Sequence, residues 1–275
     1  MANRSKTLGI SRFRKHPAAI FVVMLLGLII TSGIYTVGAT ATNQLARSSV
    51  DAAAIMNDPA SIDAGKRLFA TGCATCHGLN AQGNSDGPTL IGVGAASVHF
   101  QVSSGRMPMA APGAQVMRKA PQYTEEQTLQ LAAYVASLSP GPEIPTAAQL
   151  NWAGADLAKG GELFRANCAQ CHSFSGRGGA LTEGKYAPTL MLATPQQIYE
   201  AMITGPQAMP IFNDQTLTVE EKQAVIAYIE FLKDSPNPGG FELGRYGPVA
   251  EGLFLWTVGI GALLLVAIWI GVKAK

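Results

Sequence analysis

Two long apolar runs bracket the chain. From Pro17 to Ala46 there is no charged residue, and Ala18–Val37 is almost wholly apolar; Gly252–Val272 is again without charge. Each run predicts a helix of about 20 residues, long enough to span a bilayer. Between them the pattern changes to amphipathic helices with polar, proline-rich breaks. Gly65 and Phe69 lie four apart, and Leu131 and Tyr134 three apart, so each pair shares one helix face. Gly160, Phe164, Val225 and Tyr228 repeat the arrangement. A glycine on each first helix lets a second helix approach closely, and the aromatic packs into the contact. Thr124-Glu125-Glu126-Gln127 and Thr218-Val219-Glu220-Glu221 read as hydroxyl-capped starts of the last helix in each copy.

The repeat extends well beyond helix packing. Aligning Gly65-Lys66-Arg67-Leu68-Phe69 with Gly160-Gly161-Glu162-Leu163-Phe164 carries Cys73 onto Cys168. Pro88-Thr89-Leu90 then matches Pro188-Thr189-Leu190. Gly105-Arg106-Met107-Pro108 matches Gly205-Pro206-Gln207-Ala208-Met209-Pro210. Such self-similarity marks one structural unit used twice. Ser139-Pro140-Gly141-Pro142 and Ser235-Pro236-Asn237-Pro238 cannot continue a helix and read as stiff breaks. The resulting division is a basic segment 1–16, an apolar segment 17–41, a first unit 58–140, a linker 141–155, a second unit 156–235, a linker 236–250 and a transmembrane helix 251–272.

At the centre of each unit stands Cys-x-x-Cys-His: Cys73, Cys76 and His77, then Cys168, Cys171 and His172. These motifs use all four cysteines of the chain. Two thiols on one helical turn can each bond a haem vinyl group, and the following imidazole becomes the proximal iron ligand. A zinc ribbon would place its cysteine pairs about 15–20 residues apart, far closer than Cys76 and Cys168. A redox disulfide leaves both histidines unexplained. The expectation is two covalently bound haem c groups.

A methionine–proline pair follows each motif. Methionine sulfur as sixth ligand closes the iron and raises its reduction potential, so Met107 and Met209 are the candidate axial ligands. Met109 is a rival to Met107. Met191 and Met202 read as core residues, and His99 as a partly exposed helix histidine. The carbonyls of Pro88 and Pro188 are candidates to accept the N–H of the proximal imidazoles, a contact that orients such ligands.

Charge adds orientation. Residues 1–16 carry Arg4, Lys6, Arg12, Arg14 and Lys15 without an acid, and Lys273 and Lys275 end the chain. Basic flanks stay on the cytoplasmic side. A two-pass protein of the cell membrane follows, with both termini cytoplasmic and the haem units extracytoplasmic. Ala39-Thr40-Ala41 leaves open a cleaved signal peptide in place of the first anchor. The net charge of +2 hides an acidic body, since Asp and Glu outnumber Lys and Arg within 51–240. That balance gives no support to nucleic-acid binding.

Each unit resembles a class I cytochrome c domain. With its flanking anchors the pair is similar to the dihaem cytochrome c subunit of the actinobacterial cytochrome bcc (quinol–cytochrome c reductase) complex. The strings that carry this narrower likeness are Gly178-Gly179-Ala180-Leu181, Gly184-Lys185-Tyr186-Ala187-Pro188, Gly205-Pro206-Gln207-Ala208-Met209-Pro210 and Gly247-Pro248. The resemblance implies an all-α fold of two tandem class I domains between N- and C-terminal transmembrane helices. It implies electron passage from a cytochrome b subunit and a Rieske iron–sulfur subunit to the copper centre of an aa3-type cytochrome oxidase. The chain would be the electron-transfer subunit of an oxidoreductase (translocase) and turn over no substrate alone. The alternatives are a dihaem subunit of another oxidase or a membrane dehydrogenase, a dihaem peroxidase with one open iron, and a free-standing tethered cytochrome.

Overall fold

The computed structural model describes residues 21, 24–32, 52–111, 113, 115–235 and 243–273. The basic segment 1–16 lies outside them, as does most of 17–41; residues 24–32 are helical and exposed.

The first repeat is built from α1 (Ala52–Asn57), α2 (Pro59–Gly72), a single turn α3 (Ala74–His77), α4 (Gly94–Ser103) and α5 (Glu125–Leu138). Asp58 starts α2 by accepting from the Ala60 and Ser61 N–H groups, with Pro59 in the first turn. Thr124 and Gln127 form a reciprocal capping box on α5. α2 packs on α5 through the expected glycine: a Cβ at Gly65 would stand 1.9 Å from the Gln130 carbonyl oxygen. The Phe69 and Tyr134 rings fill the same contact at 5.2 Å between centroids.

The second repeat follows the same plan, with α6 (Leu157–Asn167), the single turn α7 (Ala169–His172), α8 (Pro195–Thr204) and α9 (Val219–Asp234). Asp156 caps α6, and Thr194 and Thr218 form capping boxes on α8 and α9. A Cβ at Gly160 would meet the Ala224 carbonyl oxygen at 2.0 Å, and Phe164 lies 5.4 Å from Tyr228. The core is larger here: Phe164, Ile198, Tyr199, Phe212, Val225 and Ile226 close around Met202, which is buried as expected.

The two repeats touch through equivalent helices. α4 packs on α8 in antiparallel register, with His99 against Glu200 and Ser103 against Gln197. His99 therefore departs from expectation. It is 3% exposed, because its neighbour is the other repeat rather than water. The proline-rich linker is also not free: the Ala96 N–H donates to the Pro142 carbonyl at 3.0 Å.

The fold is mainly helical. One departure from all-α is a short antiparallel pairing of β1 (Gly179–Ala180) with β2 (Tyr186–Ala187). It occupies a longer loop in the second copy, where His-to-Pro spacing is 16 residues against 11 in the first. At the C-terminus a helix from Val249 to Val272 is long and apolar enough to cross a membrane and buries none of that surface within the chain. It includes a π-helical stretch, Leu255–Ile260. Trp256 and Trp269 are exposed near its two ends.

Candidate functional site

Each Cys-x-x-Cys-His segment forms a tight turn directly after a long helix. The Cys76 and His77 N–H groups both reach the Cys73 carbonyl, at 3.2 and 3.0 Å. Cys171 and His172 do the same to Cys168, at 3.2 and 2.9 Å. The two thiols of a motif thus share one turn, and the imidazole follows directly. None of the four cysteines is paired in a disulfide. Burial, with a smaller contribution from the neighbouring thiol, pushes Cys73 and Cys168 each up to about 11. Among the described residues no three His, Cys, Asp or Glu side chains cluster as metal ligands, so the two pairs do not meet in one zinc-type centre.

The histidines are held from behind. His77 Nδ1 lies 2.8 Å from the Pro88 carbonyl oxygen, and His172 Nδ1 lies 2.9 Å from that of Pro188. A carbonyl only accepts, so Nδ1 carries the proton and donates. With the proton on Nδ1, the neutral tautomer has its lone pair on Nε2, which is what an iron ligand needs. Burial lowers the His172 pKa and reinforces the neutral form, while the bond to Pro188 opposes it. The bracketing loops also match: Gly83 N–H to His77 O at 2.7 Å, and Gly178 N–H to His172 O at 2.8 Å.

Met107 packs against the first core and Met209 against the second. Met109 is not part of that core and lies toward Gly113. Beside Met107 the Arg106 guanidinium is 7% exposed and sits 4.8 Å over the Phe100 ring. Its Nη1 has no hydrogen-bond partner in the described structure. A buried cation with an unused donor suits a carboxylate-bearing cofactor. The donor set therefore fits haem c: paired cysteines outside any disulfide, an imidazole backed through Nδ1, a core-facing thioether and a buried guanidinium with an unpartnered Nη1.

Sequence reasoning missed Arg106 and the contacts between repeats. Arg118 Nη1 donates to Gln197 Oε1 at 3.1 Å, and Gln197 Nε2 donates to Ser103 Oγ at 3.2 Å. His99 lies between Glu200 and Glu125, at 2.7 and 2.9 Å. Burial pulls the imidazole down, but the two carboxylates outweigh it and raise its pKa from 6.5 to about 9.

Two backed Cys-x-x-Cys-His turns, each in its own helical domain, define a cytochrome c with two domains. The family model described as "Cytochrome c" matches residues 62–139, and that described as "Cytochrome C oxidase, cbb3-type, subunit III" matches residues 155–229. A cytochrome bc1 complex cytochrome c subunit of Corynebacterium diphtheriae is 44% identical over 290 residues, covering all of both chains. That of Corynebacterium efficiens is 49% identical over 258 residues, covering 88% of this chain and 85% of the relative. That of Mycobacterium tuberculosis is 44% identical over 259 residues, covering 92% and 90%. The chain belongs to the family of cytochrome c subunits of the cytochrome bc1 complex. It is an electron carrier within an oxidoreductase complex of a respiratory membrane, and its two domains imply bound haem c.

Proposed function

We propose that this chain is a membrane-anchored two-haem conductor. It would receive electrons at its first domain from a Rieske iron–sulfur subunit served by a cytochrome b subunit. It would give them up from its second domain to the copper centre of an aa3-type oxidase. The observation that carries the two-site reading is the repeated bracket, His77 on Pro88 and His172 on Pro188, at 2.8 and 2.9 Å.

When bound, haem c supplies a reversible one-electron iron couple. Cys73 and Cys76 would anchor one haem, Cys168 and Cys171 the other. His77 and His172 would ligate iron through Nε2, with the proline carbonyls setting their orientation. Met107 and Met209 would supply the sixth ligands. The packing of Met107 on the core supports it over Met109. Two closed irons favour electron transfer over a peroxidase reaction, which needs an open position.

The helix Val249–Val272, whose apolar surface is unburied and which is followed by lysine, supports a C-terminal anchor. With the basic N-terminus it supports a two-pass arrangement in the cell membrane, both ends cytoplasmic and both haem domains outside. We assign the domains to 58–140 and 156–235 and the spans to 17–41 and 251–272. The cbb3-type family model favours a second reading, a subunit of another oxidase, but it covers only residues 155–229.

Purification of the tagged chain in mild detergent tests the assignment. Co-purifying haem b, an iron–sulfur protein and haem a are expected. Recovery of haem c alone would contradict the proposed partners.

A further inference from the structure

Among the differences between the two copies are two insertions that meet. In the first domain the loop from Met107 to the Thr124 cap is longer than its counterpart from Met209 to Thr218. In the second domain the interval between His172 and Pro188 is longer and forms the β1–β2 hairpin. Gln115, from the first insertion, reaches this hairpin. Its Nε2 donates to the Tyr186 carbonyl at 2.6 Å, and its Oε1 accepts from the Tyr186 N–H at 2.9 Å. A single amide side chain thus satisfies both backbone groups on the outer edge of β2, as an added strand would.

Both ends of this strap lead to haem brackets. Two residues beyond Tyr186 is Pro188, whose carbonyl backs His172. At the other end the strap lies on the Met107 loop: Lys119 Nζ donates to the Pro108 carbonyl. A Cβ at Gly105 would stand 2.0 Å from the Lys119 carbonyl oxygen. The second domain answers with a longer contact of the same kind: Gln207, two residues before Met209, accepts from the Val116 N–H at 3.4 Å and donates to the Val116 carbonyl at 3.5 Å.

We propose that Gln115 is a positioning residue for the second haem. By holding Tyr186 it fixes the Pro188 carbonyl on His172, and it ties that bracket to the Met107 loop of the first domain. The inference rests on the ligand assignment under Proposed function. Its consequence is that the axial imidazole of the second domain is tuned by a side chain of the first.

The test uses the intact complex with Gln115→Leu and the isosteric Gln115→Glu, counting haem c per chain and titrating each haem potentiometrically. Gln115→Leu is expected to shift the midpoint potential and the low-spin ferric spectrum of the second haem while leaving the first unchanged. Gln115→Glu keeps the acceptor for the Tyr186 N–H and loses the donor to its carbonyl, so an intermediate shift is expected. Unchanged potentials and spectra in both variants would overturn the proposal, as would a shift confined to the first haem. Fewer than two haems in the parent chain would instead refute the ligand assignment itself.

Discussion

His99 Nδ1 of the first domain lies 2.7 Å from Glu200 Oε1 of the second, and Glu125 closes on the other side of the ring at 2.9 Å. Glu200 is fully buried and also accepts from Gln196 at 2.9 Å. A buried imidazolium between two carboxylates joins the equivalent helices α4 and α8. Breaking such a buried network by removing one partner strands the others without compensation.

The network makes stability depend on pH. The folded pKa of His99, about 9, lies above its ordinary 6.5. The folded state therefore holds the proton more tightly. Its contribution is fully present below about pH 6.5 and is lost as pH rises through about 9. A shift of this size corresponds to a contribution on the order of 3 kcal/mol. Thermal melts of the wild type should show stability falling from pH 6.5 to 9. His99→Gln should be less stable at pH 6.5 and flatter across that window. An identical slope in the variant would rule out His99 as its source.

The helix contacts at Gly65 and Gly160 leave no room for a methyl group. Each would drive a Cβ to about 2 Å from a backbone carbonyl, which cannot move as a flexible side chain can. Gly65→Ala and Gly160→Ala should each destabilise the protein by about 1–3 kcal/mol or more. Urea unfolding checks this; midpoints equal to wild type would mean the helix pairs separate easily.

Replacing the proposed sixth ligands should open one iron at a time. Met107→Leu and Met209→Leu are each expected to lower one reduction potential and to admit carbon monoxide to one reduced haem. Met109→Leu should change neither. Carbon monoxide binding in Met109→Leu, with Met107→Leu unaffected, would exchange the two assignments.

Deleting residues 249–275 tests the membrane arrangement. If segment 17–41 remains as an anchor, the truncated chain should still sediment with membranes and resist high-salt extraction. Its appearance in the soluble fraction would show that the first segment is cleaved.

How much of this was legible in the sequence depended on whether the contact was local or repeated. The Gly65–Phe69–Tyr134 contact could be read because helix periodicity set its face and Gly160–Phe164–Tyr228 repeated it. The proline bracket could be read for the same reason. His99 was misread because its burial comes from α8, an element 101 positions away by the Glu200 contact. Gln115 left no local signal, since its partner is the backbone of Tyr186, 71 residues along, and backbone groups carry no residue identity. Arg106 is a single residue between two better landmarks, and only its buried, unpartnered Nη1 draws attention to it. The contacts between domains are where the two copies stop being alike, so the repeat could not reveal them.

The most direct measurement is quinol-driven reduction of the purified complex, comparing wild type with a Cys73→Ala/Cys76→Ala variant that cannot anchor the first haem. The wild type should contain two haem c per chain, both reduced by quinol. In the variant the second haem should remain attached and still be reduced by a chemical donor, but quinol should no longer reduce it. Quinol reduction of the second haem at the wild-type rate in that variant would contradict serial conduction through the two domains.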